Sequence, residues 1–216
     1  MRVIEITGIA GVGKSYVLEQ LNKKNNIILD TTLLKKYKLN DFKLGLLFFQ
    51  QKKSLTQLWL SIQIAHKLKM PFFHKLNFIR NVIKKFGKNY FITHRLEELK
   101  LILIVDEGIS HIYQNLITTQ DDNDETVVML VHKLMRTIEL NHEILIITAA
   151  YPTLFKRLFH RGHKRLNSTV EVEKFIKNSQ EHIKQLEENF NHIIHITNED
   201  HGDLEQEFNK IWKKNV

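Results

Sequence analysis

The chain has 216 residues, of which 43% are hydrophobic and 26% are charged, and its net charge at pH 7 is +8. These proportions are typical of a soluble globular protein, and the length suits one domain with or without an added lobe. The lack of cysteine excludes disulfides and thiolate zinc sites. No apolar run reaches the roughly 18–20 residues that cross a bilayer, and the start MRVIEITG lacks the layout of a signal peptide, so we expect a cytoplasmic protein.

Five short apolar runs predict β strands, and stretches with helical spacing of apolar residues separate them. Continuous apolar strands that alternate with helices, without hairpin signals, favour an α/β fold. In such a fold a mainly parallel sheet is covered by helices on both faces. The predicted strands are Arg2–Thr7, Asn26–Asp30, Leu99–Val105, Glu143–Thr148 and His192–Thr197.

The longest helical region is predicted between the second and third strands. Residues 31–98 carry no strong strand signal, and Pro71 separates two helices within them. We expect the second of these helices to end at Gly87, because glycine commonly terminates helices. Another helix is expected to begin at Ile109. Helices are predicted in other parts of the chain as well. Along the whole chain, the predicted helices with both bounds are Lys14–Lys23, Ser54–Met70, Phe72–Phe86, Thr126–Leu140, Pro152–His160, Val170–Asn189 and Leu204–Lys213.

Positive charge is concentrated between Lys35 and Lys100, a stretch that contains fifteen lysines and arginines but three acids. A basic region on a near-neutral body suggests a polyanionic partner such as DNA. A solvated, lysine-rich helical surface explains the same pattern, and the sequence leaves both readings open. Four aromatic residues of this region are candidates either for base stacking or for the core, namely Trp59, Phe72, Phe73 and Tyr90.

The segment GIAGVGKS matches the whole phosphate-binding pattern GxxxxGK[ST], with a strand before it and a helix after it. Glycines let backbone N–H groups turn towards phosphate oxygens, and the helix N terminus adds a partial positive charge. We expect Lys14 to reach the β- and γ-phosphates, and Ser15 to place its hydroxyl on Mg²⁺. The residues predicted to contact ATP here are Gly8, Gly11, Val12, Gly13, Lys14, Ser15 and Tyr16.

An acid on a neighbouring strand is needed to hold the magnesium ion or its water. The apolar run LILIVD ends in Asp106, which we assign to the metal together with Ser15. Glu107 either shares that role or orients the attacking group. A chance helix-capping aspartate is the alternative reading of Asp106.

A basic helical face is predicted in YPTLFKRLFHRGHKR. Arg157, Arg161 and Arg165 recur every four residues, so they share one face of a helix. Guanidinium groups suit phosphate oxygens, and a cation that reaches the γ-phosphate lowers the barrier to its transfer. A solvated basic helix is the alternative.

Taken together, these motifs resemble the P-loop kinases of the nucleoside and nucleotide type, including thymidylate kinase-like and deoxynucleoside kinase-like proteins. The shared pattern is a strand with GxxxxGKS, an acid-ended strand, and a strand–Pro–helix with RxxxRG. The resemblance implies one P-loop kinase domain over 1–216 whose five-stranded core places the first and acid strands side by side. It implies ATP and Mg²⁺ as cofactors and a lid at 152–170. The resemblance covers 1–30, 99–113, 143–166 and 192–200, and it does not cover 31–98.

The resemblance also implies roles for single residues. Arg157 would lie near the adenine, Arg161 and Arg165 would be lid arginines, and Asn198 would edge the base. Asp30 follows the second strand, where deoxynucleoside kinases carry a catalytic acid, so we interpret it as the general base for an acceptor hydroxyl. The predicted catalytic set is Lys14, Asp30, Asp106, Glu107 and Arg161.

The acceptor is less well defined, because those kinases usually follow the acid with an arginine that often touches the acceptor. Here Asp106 is followed by Glu107 and Gly108. With 31–98 as a basic acceptor-binding insertion, the sequence favours a kinase acting on a hydroxyl of nucleotide character, free or within a nucleic acid such as hydroxymethylated DNA. The alternatives are an AAA-like ATPase, marked by a strand between the loop strand and the acid strand, and an ATP-dependent nucleic-acid-binding protein.

Overall fold

The computed structural model describes residues 2–96, 101–112, 125–138, 142–161 and 168–199, with Arg161 described in its backbone alone. Its centre is one sheet of five parallel strands in the order β2-β3-β1-β4-β5. All five strands lie where the sequence predicted them, and the predicted α/β P-loop architecture is confirmed. The strands are β1 (Arg2–Gly8), β2 (Ile27–Leu29), β3 (Ile102–Asp106), β4 (Glu143–Thr148) and β5 (Ile193–Thr197).

The phosphate-loop strand and the acid strand are direct neighbours. β1 pairs with β3 along its length, from Arg2 opposite Ile102 to Ile6 opposite Asp106. No strand lies between them in the sheet, so the arrangement that would have marked an AAA-like ATPase is absent from the part of the chain that the structure describes. The adjacency that the kinase resemblance implied is confirmed.

Helices account for the rest of the described core. The region 31–98 is helical where it is described, but it holds two helices that the sequence did not predict, α2 and α3. The predicted helix Leu204–Lys213 lies outside the described residues. The helices are α1 (Lys14–Asn22), α2 (Asp30–Lys36), α3 (Asp41–Phe49), α4 (Ser54–Lys67), α5 (Phe72–Arg95), α6 (Glu125–Met135), α7 (Tyr151–Arg161) and α8 (Thr169–Asn189).

Both faces of the sheet are buried, as the continuous apolar strands predicted. Successive residues of β3 point to opposite faces, so Ile104 packs in one cluster with residues of α1, α7 and α8. Leu103 and Val105 pack in another with Leu33 of α2 and Phe91 of α5. A third cluster joins α4, α5 and α6 beyond the sheet. The sheet therefore fixes α1 on one side of the site and α5 on the other.

Gly87 does not end a helix, and that prediction is wrong. Helix α5 runs through it for 24 residues, to Arg95. A Cβ at Gly87 would collide with the main-chain carbonyl of Leu44, because α3 crosses α5 at this point. The glycine marks a close contact between two helix backbones, and the residues that follow it stay helical.

Three of the four aromatic candidates for base stacking or for the core are exposed. Trp59, Phe72 and Phe73 expose 60%, 67% and 80% of their surface, and Tyr90 stacks on His94. Among the described residues, no helix combines the length and apolarity that a membrane crossing needs.

Candidate active site

The phosphate loop connects β1 to α1 and has the backbone that its glycines predicted. Gly11 and Gly13 have φ angles of 90° and 87°, a region that side chains with a Cβ disfavour. Helix α1 begins at Lys14 with no acid in its first turn and no side-chain cap. The N terminus of a helix carries a partial positive charge, which suits an anion such as a phosphate.

Two predicted nucleotide contacts hold this loop in shape. Asn198 is fully buried, and its side-chain amide donates to the carbonyl of Val12 at 2.5 Å. Arg157 donates to the carbonyls of Gly11 at 3.4 Å, Asn198 at 3.1 Å and Glu199 at 2.7 Å. These contacts join α7 and the end of β5 to the loop. Direct contacts of either side chain with a nucleotide stay predictions.

The loop lysine meets the acids at the end of β3. Its ammonium lies 3.4 Å from Oδ1 of Asp106 and 2.9 Å from Oε1 of Glu107. Burial raises the pKa of Asp106 above its usual value, although the Lys14 charge opposes this. Burial acts in the same direction on Glu107, but there the hydrogen bond from Lys14 and nearby positive charge prevail and lower the pKa. Three of the predicted catalytic residues are therefore together.

Glu107 adopts an unusual backbone conformation. Its φ is 48°, in the left-handed region that residues with a Cβ seldom occupy and that is often retained at functional sites. The chain turns sharply here, directly after β3 ends at Asp106, and becomes helical at Ser110. This turn directs the Glu107 carboxylate back towards Lys14.

Oxygen ligands for a magnesium ion are present. Oδ1 of Asp106 is buried and has no hydrogen-bond partner among the described residues beyond its ion-pair contact with Lys14. Ser15 is exposed in the first turn of α1. Mg²⁺ is ordinarily bound by one or two protein oxygens together with phosphate and water, so this pair fits the ion that the resemblance implied.

Asp30 lies at the end of β2, on the far side of Asp106 from Lys14. It is the first residue of α2 and is 3% exposed. One carboxylate oxygen accepts the N–H of Thr31 at 2.8 Å, and the other lies 2.5 Å from the ammonium of Lys88. Lys88 also donates to the carbonyl of Asp106 at 3.2 Å. The sequence predicted Asp30 for this site but did not place Lys88 there.

A second lysine of α5 supports the turn after β3. Lys85 donates to the carbonyls of Glu107 at 2.6 Å and Gly108 at 3.0 Å. Burial lowers the pKa of Lys85 to about 8, with partial compensation by the negative charge of Glu5. The sequence counted this lysine with the basic surface, but the structure places it inside the site.

Glu5 is a buried acid that sequence reasoning missed. It lies in β1 with 0% exposure, and its carboxylate accepts the N–H groups of Ile109 at 3.1 Å and Ser110 at 2.7 Å. The Ser110 hydroxyl and His142 complete its shell. Burial alone raises the pKa of Glu5, but His142, Ser110 and the charge of Lys85 outweigh it and hold the pKa at about 2. An acid inside the apolar run RVIEITG was the available signal.

Comparison with known proteins agrees with this fold. Neither a protein-family model nor a curated protein matches the chain. Deoxyadenosine kinase from M. mycoides with bound dATP is similar in structure at 16% identity, with 98% of each chain covered and a TM-score of 0.54. Thymidylate kinase from Candida albicans is similar at 12% identity, with 99% of this chain and 92% of that chain covered and a TM-score of 0.52. The chain has the fold of the P-loop nucleoside and nucleotide kinases.

In this kinase fold the site occupies the carboxyl edge of three adjacent strands. β2, β3 and β1 end side by side, and they carry Asp30, Asp106 and the loop with Lys14. Ligands of open parallel sheets bind at this edge. The folding pattern thus brings the predicted base, metal ligand and phosphate-binding lysine together from three separate parts of the chain.

The lid is the part of the prediction that stays open. Arg157 and Arg161 both lie within α7, as the predicted helix requires. Arg165 lies outside the described residues, with the rest of 162–167. Roles for Arg161 and Arg165 at a γ-phosphate, and for 152–170 as a lid, remain predictions.

Proposed function

We propose that the protein is an ATP- and Mg²⁺-dependent kinase that transfers the γ-phosphoryl group to a hydroxyl of a nucleoside or nucleotide. The placement of Asp30 carries this proposal. A buried carboxylate lies across Asp106 from the phosphate-loop lysine, which leaves a base beside a phosphate-donor site.

Each residue of the site has a task in such a transfer. The N–H groups of the loop and the Lys14 ammonium would bind the β- and γ-phosphates. Asp106 and Ser15 would hold Mg²⁺, which supplies neutralisation of the phosphate charge when bound. As the acceptor oxygen bonds to the γ-phosphorus, the bond from phosphorus to the β–γ bridging oxygen breaks and ADP leaves. Asp30 accepts the hydroxyl proton, and weak base assistance suffices because the transition state is loose.

A small acceptor is the better supported of two candidates. The two similar kinases are named for deoxyadenosine and thymidylate, and this chain would act on a nucleoside or nucleotide of the same size class. The second candidate is a hydroxyl within DNA, favoured by the basic stretch and by the exposed Trp59, Phe72 and Phe73. However, Lys85 donates to the carbonyl of Glu107 and Lys88 pairs with Asp30 within the site. Part of that positive charge is therefore not available to a polyanion bound at the surface.

An acceptor panel tests the proposal. ATP labelled at the γ-phosphate is incubated with nucleosides, nucleoside monophosphates, plain DNA and hydroxymethylated DNA, with Asp106→Asn as the inactive control. We expect label in one class of small acceptor. Label in hydroxymethylated DNA alone would select the second candidate. Label found only in free phosphate with every acceptor would contradict a kinase.

A further inference from the structure

Lys88 lies between the proposed base and the phosphate-binding half of the site. It is on α5, 58 residues along the chain from Asp30, and its ammonium contacts both Asp30 Oδ2 and the carbonyl of Asp106. Asp106 in turn contacts Lys14. The ammonium of Lys88 therefore joins the proposed base to Asp106, the residue proposed to hold the metal in the phosphate-binding half.

The hydrogen bonds of Lys88 leave a donor for a ligand. The side chain is 12% exposed and Asp30 is 3% exposed, so this ion pair is largely removed from water. A lysine ammonium carries three N–H donors. Two of them are used by Asp30 and by the carbonyl of Asp106, so with respect to the described residues one donor remains for a ligand.

We propose that Lys88 is an acceptor-binding residue, which donates its third N–H to the oxygen that receives the phosphoryl group. This rests on the proposed kinase function. In the transfer, the acceptor O–H bond breaks, its proton passes to Asp30, and the oxygen forms the new bond to phosphorus as ADP departs. Before the proton has passed, the ammonium offsets the negative charges of the Asp30 carboxylate and of the phosphoryl group that the acceptor oxygen meets.

Lys84 is a matched comparison on the same helix. It lies one helical turn before Lys88 and is likewise paired with an aspartate, Asp41, at 2.8 Å. The Lys84 side chain is 31% exposed and Asp41 is 53% exposed, so this pair lies nearer to solvent. The two lysines share residue type, helix and ion pairing, but Lys88 alone of the two contacts Asp30 and Asp106.

The test compares Lys88→Gln with Lys84→Gln in steady-state transfer to the acceptor that the wild-type protein uses. A hydrogen bond from a charged donor predicts a loss of about 10- to 100-fold in kcat/KM for the acceptor in Lys88→Gln. The KM for ATP should change by less than about twofold, since ATP lies on the Lys14 side. Lys84→Gln should stay within about twofold on both substrates, and Lys88→Arg should recover part of the loss.

Several results would overturn the inference. One is acceptor kinetics for Lys88→Gln equal to those of Lys84→Gln. Another is an equal loss of kcat/KM for ATP and for the acceptor, which would indicate a general structural role of Lys88. If Lys88→Gln does not fold, Asp30→Asn alone is compared with Asp30→Asn/Lys88→Gln, which leaves no unpaired charge. Acceptor KM must then rise in the double variant. If the wild-type protein phosphorylates no acceptor, the proposed kinase function itself is contradicted. That outcome is distinct from a failure of the Lys88 inference alone.

Discussion

The two halves of the site are built in opposite ways. The phosphate-binding half comes from consecutive residues, since β1, the loop from Gly8 to Ser15 and α1 follow one another directly. The half that we propose for the acceptor joins Asp30 at the start of α2 to Lys88 and Lys85 on α5 and to the turn after β3. The first half is local in sequence, whereas the second exists only once α5 has packed on the sheet.

This difference explains why the sequence predicts the phosphate donor more readily than the phosphate acceptor. A triphosphate has the same oxygens in every kinase, so one short backbone motif can bind it. An acceptor is bound by side chains that distant elements bring together. We therefore expect the identity of the acceptor to depend on how α5 is held against the sheet, and we expect variants in the two halves to fail in different ways.

The largest effect is expected at Lys14, in the local half. Lys14→Ala removes the ammonium from Asp106 and Glu107 and from the phosphates, and should reduce phosphoryl transfer by about 10³-fold. Lys23→Ala is the matched control, because Lys23 follows the end of α1 and is exposed beside Glu19. Transfer rates with both variants, alongside circular dichroism to verify folding, measure this effect. Similar rates for the two variants would contradict the assigned role of Lys14.

The next effect concerns Glu5, which links the two halves through the turn after β3. Its pKa of about 2 in the folded protein is below the usual 4.5. The ionised group therefore contributes stability that is fully present above about pH 4.5 and is lost as the pH falls towards about 2. The contribution is on the order of 3 kcal/mol. Denaturant unfolding across this pH range should show a decline in the wild-type protein that Glu5→Gln lacks.

The control for that experiment is Glu143→Gln. Glu143 also lies on a strand, but it is half-buried and pairs with Arg2 at 2.7 Å, so its removal should leave most of the acid decline in place. Parallel curves for the wild-type protein and Glu5→Gln would show that Glu5 is not the group responsible.

A smaller effect on stability is expected at the crossing of α3 and α5, which holds the acceptor half in place. Gly87→Ala forces a Cβ against the carbonyl of Leu44 and should lower the free energy of unfolding by about 1–3 kcal/mol. Gly45→Ala is the matched control on α3, since its new Cβ would meet only a methyl of Ile83 at 4.0 Å. That change should be neutral or stabilising by up to about 1 kcal/mol. Thermal unfolding of both variants checks the contrast, and a Gly87→Ala protein as stable as Gly45→Ala would refute the close crossing.

The sequence was sufficient for the features that depend on neighbouring residues. The phosphate loop, the five strands and the acid at the end of β3 all follow from runs of consecutive residues. The helix α3 was missed because Phe42, Leu46 and Phe49 leave large apolar side chains exposed at 73%, 52% and 53%. With Leu44 and Phe48 buried on the other side, the helix lacks the apolar stripe that marks an amphipathic helix.

Lys88 was missed for a related reason. Reading Gly87 as a helix end placed Lys88 beyond the helix, where it had no predicted neighbours. A glycine that ends a helix and a glycine that admits a crossing helix look alike in one sequence, because the difference depends on α3. Glu5 was missed because its partners at Ser110 and His142 are more than 100 residues away.

The stoichiometry of ATP use distinguishes phosphoryl transfer to an acceptor from simple hydrolysis of ATP. ADP and phosphorylated acceptor are quantified together, with and without the acceptor found in the panel. We expect one phosphorylated acceptor for each ADP, and we expect ADP formation nearly to stop when the acceptor is left out. ADP formed at the same rate with and without acceptor, with the phosphoryl group recovered as free phosphate, would contradict the proposed kinase function.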